Sequence, residues 1–193
     1  MIIQSGIGKV SAAAATTFLI LNYQPNIIIN IGSCGAIHQN KNLKQIFLPN
    51  KCIYHDVDVT IFNYKLGQIP LFPDYFYVNH TLLKFAILTA KKLNIHFTKG
   101  LIITGDTFLN DHKSKKRILK YFSKSIAIDM ESCAIAQTAF MFKVPLLIIK
   151  FISDFSDKNS KQDFSQSFFN HSKKIAKILS CIFLYFNHTM LKK

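Results

Sequence analysis

Short, continuous apolar runs alternate along this chain with stretches of helical periodicity. Because several runs are rich in β-branched residues and close on glycine or on polar residues, they predict strands. Their apolar character is continuous rather than alternating, which indicates burial on both faces, as in a parallel or mixed sheet covered by helices. The first run ends at Gly32, and the predicted strands lie at residues 26–31, 46–60, 100–105, 125–130 and 144–152.

Helical patterns fill the intervals between these runs. The pattern at residues 79–93 carries the apolar stripe of a helix that packs on one side. The alternation predicts an α/β fold, and the absence of repeats or linkers predicts a single domain over residues 1–193. The predicted helices lie at residues 9–21, 79–93, 131–142 and 163 to about 186.

The first residues read as the end of one more strand. Residues 1–4 are mostly apolar and run directly into a glycine turn at residues 5–9. A strand at this position would need a neighbour in the sheet.

The formal net charge of +14 raises nucleic-acid or membrane binding as a possibility. Arg117 is the only arginine in the sequence, whereas specific nucleic-acid readers favour arginine for its bidentate fork. Lysines are scattered, with a cluster at residues 113–117 that we interpret as solvated surface. We therefore expect no nucleic-acid partner.

Cysteine spacing and the lengths of the apolar runs indicate whether the protein is secreted, membrane-bound or cytoplasmic. Four widely spaced cysteines form no Cys-x-x-Cys pair, which predicts free thiols in a reducing cytoplasm and no zinc or redox motif. The N-terminus shows no signal-peptide pattern. The longest apolar runs, at residues 144–149 and 178–186, fall short of the roughly 20 residues that span a bilayer. We expect a soluble protein without a membrane partner.

Polar clusters follow four of the predicted strands, at residues 32–36, 104–110, 129–132 and 152–154. Ligands bind at the carboxyl ends of strands in α/β sheets, so four clusters at equivalent strand ends predict one site. Each cluster alone has a structural alternative. Asp154 could cap a helix or pair with a cation, Glu131 could favour a helix dipole, and Phe108 could be a core aromatic.

His55, Asp56 and Asp58 superficially resemble a metal cluster. Since strand side chains alternate between faces, His55 and Asp56 should point apart. We expect a structural or subunit-contact role for them, no metal site, and no cofactor.

Six motifs together resemble one family. They match, in order and over essentially the whole chain, the bacterial 5′-methylthioadenosine/S-adenosylhomocysteine nucleosidases of the purine nucleoside phosphorylase superfamily. The resemblance implies a three-layer α/β/α sandwich around a central mixed sheet, assembled as a homodimer. The motifs lie at residues 5–10, 30–35, 54–60, 105–110, 128–131 and 152–154.

The resemblance also implies residue roles at the base and the sugar. Asp154 matches the acid that protonates adenine N7, and Glu131 matches the carboxylate that holds the ribose hydroxyls. Met130 matches a residue that packs on the sugar. Phe108 matches the ring that stacks on adenine, and the backbone of Leu109 matches the group that hydrogen-bonds the adenine edge.

Further positions complete the implied site. Ser33 and Gly35 match residues that line the ribose and water side, and Phe164 matches an aromatic residue near the lid. Three residues match positions that reach the neighbouring subunit's pocket around the 5′-alkylthio group: Ile7, Phe62 and Pro70.

Two departures from the family pattern stand out. The family has about forty residues before the position of Met1, roughly a third of a typical domain, which supply first strands and a water-activating glutamate. We therefore expect this chain to lack that segment. Lys150 stands where the family usually has an arginine near the attacking water, which keeps the charge but loses the planar fork.

The leading functional hypothesis is hydrolysis of 5′-methylthioadenosine and S-adenosylhomocysteine, with 5′-deoxyadenosine as a further substrate, in methionine salvage. One alternative is a nucleoside phosphorylase, although Arg117 lies away from the strand-end motifs where a phosphate pocket would need it. The other alternative is an inactive remnant that binds purine nucleoside without turnover, which the expected absence of the glutamate favours.

Overall fold

The computed structural model describes residues 1–37, 46–108, 112–154 and 172–184, with only the backbone for His112 and Asp154. The strands are β1 (Ile28–Ala36), β2 (Ile46–Tyr54), β3 (Phe76–Tyr77), β4 (Phe97–Thr104), β5 (Ser125–Asp129) and β6 (Leu146–Asp154). The helices are α1 (Lys9–Tyr23), α2 (His80–Lys92), α3 (His112–Tyr121), α4 (Ser132–Met141) and α5 (172–184), with a 3₁₀ turn at Thr60–Phe62.

The strands form one mixed sheet in the order β3-β2-β4-β5-β1-β6. The pairs β1–β6, β2–β4 and β4–β5 are parallel, whereas β1–β5 and β2–β3 are antiparallel. A further antiparallel contact joins β2 to β6, so the sheet curls until its far strands meet. These pairings confirm the predicted α/β fold with a mixed sheet.

Both faces of the sheet are buried, as the continuous apolar runs indicate. The larger hydrophobic cluster includes Ile102 of β4 and packs against α1, α2, α4 and α5. The smaller cluster includes the alternate β4 residues Leu101 and Ile103, with Ile118 and Leu119 of α3 against it. Successive side chains of β4 therefore point into two different hydrophobic clusters, one on each face of the sheet. Helices pack against both clusters, so they lie on both sides of the sheet.

Several predicted boundaries were wrong. β1 does not end at Gly32, because its backbone stays paired with β6 through Gly35. β2 ends at Tyr54 rather than near residue 60, since Asp58 Oδ1 accepts hydrogen bonds from the backbone and hydroxyl of Thr60 and starts a turn.

Two further elements differ from the sequence prediction. Residues 1–4 form no strand and pair with none of the described strands. Helix α3 was not predicted, and its solvent-facing lysines obscure the apolar pair Ile118 and Leu119. The predicted helical stretch at 163–171 lies outside the described residues. Among the described helices, none has the length and apolar character to cross a bilayer.

Candidate active site

The turn that leads into α1 is tied to the loops after β2, β4 and β5. Gly8 has a φ of 90°, a conformation that favours glycine, and its N–H donates to Glu131 Oε1 at 3.0 Å. The next residue, Lys9, donates its backbone N–H to Asp106 Oδ1 at 2.8 Å. Its ammonium pairs with Asp56 Oδ2 at 2.6 Å. Residues far apart in sequence thereby meet at one edge of the sheet.

Residues 55–58 contribute to this framework. Asp56 Oδ2 accepts the Asp106 N–H at 3.0 Å in addition to the Lys9 ammonium, which agrees with the structural role expected from the sequence. Within the described part of the chain, no group of three His, Cys, Asp or Glu side chains could hold a metal ion.

Glu131 occupies the N-cap position of α4, directly after β5. Its side chain makes no capping hydrogen bond and instead accepts the Gly8 N–H. The position still favours a negative charge, because the helix dipole is positive at this end. Glu131 therefore presents its carboxylate beside the strand ends rather than capping its own helix.

A cavity of about 270 Å³ lies where β1, β4, β5 and β6 end. It brings together residues from four separate segments that the sequence predicted to share a site. Six predicted site residues line the cavity: Ile7, Ser33, Gly35, Phe108, Met130 and Glu131.

The backbone of Asp154 lies at the same place. Asp154 is the last residue of β6, and its Cα lies opposite Gly35 of β1. The preceding residue, Ser153, lines the cavity and donates its hydroxyl to the Cys34 carbonyl at 3.3 Å. The end of β6 therefore holds the Asp154 backbone beside two cavity-lining residues.

Besides Asp154, four predicted site residues remain. Leu109 and Phe164 lie outside the described residues. Phe62 and Pro70 lie on the exposed segment between β2 and β3, and Phe62 is 70% exposed.

Ile7 lies beside the cavity of its own chain. The resemblance assigns Ile7 to the neighbouring subunit's pocket, but Ile7 lines the cavity of its own chain. The reason is the hydrogen bond between the adjacent Gly8 N–H and Glu131, which holds the turn over the strand ends.

Lys115 is a cavity residue that the sequence reasoning missed. We assigned the cluster at 113–117 to solvated surface, yet Lys115 lines the cavity together with Thr107 and Ser153. Lys115 lies three and four positions before Ile118 and Leu119, so it shares their inward face of α3. That spacing could have identified it. Arg117 lines a different cavity, with His55 and Tyr121.

Lys150 lies behind the cavity in β6. It lines a neighbouring space of about 540 Å³ together with Ser33 and Glu131. Its ammonium is 2.9 Å from Asp129 Oδ2, and both side chains are 2% exposed. Burial by itself lowers the pKa of Lys150, but the Asp129 carboxylate outweighs burial and holds the pKa above its ordinary value. Lys150 is therefore a charged, paired lysine at neutral pH.

Known proteins are similar to this chain in sequence and in architecture. The family model of the phosphorylase superfamily matches residues 1–184. The 5′-methylthioadenosine/S-adenosylhomocysteine nucleosidase of Buchnera aphidicola subsp. Acyrthosiphon pisum (strain Tuc7) is 44% identical over 181 residues, which are 94% of this chain and 78% of that protein.

Solved structures agree with this assignment. The nucleosidase of Neisseria meningitidis in complex with methylthio-immucillin-A superposes with a TM-score of 0.80 at 35% identity, over 91% of this chain and 78% of that one. The nucleosidase of Colwellia psychrerythraea 34H in complex with adenine gives 0.80 at 34% identity, over 92% and 76%. This chain belongs to the phosphorylase superfamily and, within it, to the 5′-methylthioadenosine/S-adenosylhomocysteine nucleosidase family.

Proposed function

We propose that this chain hydrolyses the N-glycosidic bond of 5′-methylthioadenosine and S-adenosylhomocysteine, releasing adenine and the thioribose product. The observation that carries the proposal is the single cavity that joins Ser33, Phe108, Met130 and Glu131 beside the Asp154 backbone. An aromatic ring and a carboxylate in one small cavity suit a ligand that has a flat base and a hydroxylated sugar.

In the proposed reaction, the Asp154 carboxyl group protonates N7 of adenine. The C1′–N9 bond then breaks, its electron pair stays with N9, and the base leaves neutral. The oxygen of a water molecule bonds to C1′ and gives up a proton to solvent or to a nearby base. The sugar passes through an oxocarbenium-like state, as in glycoside hydrolysis.

The other residues bind and stabilise in this scheme. Glu131 accepts hydrogen bonds from the ribose hydroxyls, and its negative charge favours the developing cation. Phe108 stacks on adenine, which the Leu109 backbone holds by its edge. Met130 packs against the sugar, while Ser33 and Gly35 line the ribose and water side.

We further propose a homodimer in which Phe62 and Pro70 of one subunit close the 5′-alkylthio end of the other subunit's cavity. Phe164 would close the lid side. Exposed apolar side chains beside these positions support the dimer, with Ile61 at 86%, Phe62 at 70% and Leu71 at 94% exposure. Because the cavity residues are assigned to the adenine and the ribose of the substrate, the proposal extends to 5′-deoxyadenosine. We further propose that the activity serves methionine salvage in the cytoplasm.

One observation supports a second candidate, nucleoside binding without turnover. Of the described side chains that line the cavity, the carboxylates are Asp129 and Glu131. Asp129 is engaged by Lys150, Thr104 and Ser132, so it has little capacity left to activate water. A chain without another base would bind substrate and leave the glycosidic bond intact.

Adenine release from 5′-methylthioadenosine, measured with and without inorganic phosphate, distinguishes hydrolysis from phosphorolysis and from binding without turnover. We expect phosphate-independent release by the full chain. The variants Asp154→Asn and Glu131→Gln should each lower kcat, the former by about 10²–10⁴-fold for a proton-transfer group. The matched control Asp58→Asn makes the same carboxylate-to-amide change outside the cavity, where Asp58 accepts hydrogen bonds from Thr60 in its own turn.

The outcomes separate the candidates. Release that requires phosphate would identify a phosphorylase instead. Binding of methylthioadenosine without any release would establish the non-catalytic candidate. Equal loss in Asp58→Asn and Asp154→Asn would contradict the assigned acid, since the control carboxylate lies outside the cavity.

A further inference from the structure

Asp129 is a buried carboxylate that has no part in the proposed chemistry. Its side chain accepts hydrogen bonds from the Thr104 hydroxyl at 2.7 Å and from the Ser132 hydroxyl at 2.5 Å. The Ser132 N–H lies 3.2 Å from Oδ2, and the Lys150 ammonium lies 2.9 Å from the same oxygen. Both carboxylate oxygens are therefore saturated by donors.

The groups around Asp129 extend into four elements of the sheet and its helices. Asn30 of β1 donates to the Ser132 hydroxyl at 3.1 Å. The Cys133 N–H donates to the Thr104 hydroxyl at 3.0 Å. With Thr104 at the end of β4, Ser132 at the start of α4 and Lys150 in β6, the network joins the strand ends that border the cavity, whereas the Ile7 turn and α3 lie outside it.

Each of these segments carries a residue of the proposed site a short distance beyond its network member. Ser33 and Gly35 follow Asn30, Phe108 follows Thr104, Asp154 follows Lys150, and Glu131 lies between Asp129 and Ser132. A displacement of Asp129 would therefore act on the segments that carry Glu131 and the end of β6.

A buried ion pair is weak evidence for stability, because removing two charges from water offsets most of their attraction. Apolar residues of similar volume would fill this position at comparable stability. The pair does, however, fix the separation of β5 and β6 by a directional contact that an apolar pair would not provide. Fixed geometry matters most for the reacting groups.

We propose that Asp129, through its ion pair with Lys150, is the positioning residue that sets the placement of Glu131 relative to the end of β6. This inference rests on the proposed nucleosidase function. Glu131 contacts the ribose in the bound substrate as well, but its charge matters most when the cation develops in the transition state, so misplacing it should lower kcat more than it raises KM.

The test compares four variants by kcat and KM for 5′-methylthioadenosine. Asp129→Asn and Lys150→Met should each lower kcat about a hundredfold, the loss expected for a misplacement of about 1 Å, with a smaller rise in KM. Lys150→Arg keeps the charge and should retain most of the activity. The double variant Asp129→Asn/Lys150→Met leaves no unpaired buried charge, so it should fold like the wild type and still lack the activity.

A second readout does not depend on turnover. The ε-methyl resonance of Met130, which lies between Asp129 and Glu131, should shift in Asp129→Asn and in the double variant. It should not shift in the control Asp58→Asn. A folded double variant with wild-type kcat and an unmoved Met130 resonance would overturn the proposal.

If the wild-type chain releases no adenine, the proposed function fails and the Met130 resonance alone decides the positioning role. A shift in the Asp129→Asn and double-variant spectra would support the role, and an unchanged resonance would refute it.

Discussion

At the scale of single residues, His55 makes stability depend on pH. Its Nε2 atom is buried and has no hydrogen-bond partner among the described residues. Gly105 packs so closely that an added Cβ would lie 2.4 Å from this nitrogen. Burial lowers the pKa of His55 below its ordinary value of 6.5, and the nearby Asp56 carboxylate only partly opposes this.

We expect the free energy of unfolding to fall as the pH drops below about 6.5. In that range the unfolded chain takes up a proton at His55 while the folded chain does not, so acid favours unfolding. Urea denaturation at about pH 7.5 and about pH 5.5 measures this difference. His55→Asn should reduce it, and the exposed His96→Asn should not. An equal pH dependence in both variants would exclude His55 as the source.

At the scale of elements, α2 shows how a local signal defines a helix. Asn79 precedes the helix, and its Oδ1 accepts the Leu82 N–H at 3.0 Å. Lys91 and Lys92 lie in the last turn, where positive charge favours the helix dipole. The buried stripe then packs the helix on the sheet, as predicted from the period of its apolar residues.

Asn79→Ala should lower the free energy of unfolding by about 0.5–2 kcal/mol, because the Leu82 N–H loses its acceptor. Chemical denaturation gives this value directly. Asn79→Ser supplies another capping oxygen and should retain most of the stability. If Ala and Ser gave the same unfolding free energy, the cap would not contribute as argued.

At the scale of the whole molecule, the exposed apolar surface around Phe62 predicts self-association. We expect sedimentation of the wild-type chain as a dimer and a shift toward monomer in Phe62→Ser, because the substitution removes apolar area from the contact. The matched control Leu88→Ser changes a 55% exposed side chain on α2 and should leave the dimer intact. Dimers of equal stability in both variants would place the contact elsewhere.

The sequence by itself determined those helices and strands that can be recognised from residues close together in the chain. The apolar run of β6, the stripe and cap of α2, and the polar residues that follow the strands can all be identified without knowing what they contact. From these residues the α/β fold and the shared position of Ser33, Phe108, Glu131 and the Asp154 backbone were predictable.

Tertiary structure decided the features that depend on partners distant in sequence. β1 continues past Gly32 because β6 pairs with it, and Ile7 lines its own cavity because Gly8 bonds to Glu131. Lys115 turns inward because the apolar side of α3 packs on the sheet. The Asp129–Lys150 pair joins two strands that follow one another in the chain but are separated in the sheet by β1. Propensity and periodicity describe a segment alone, whereas these contacts exist only once the sheet has brought the segments together.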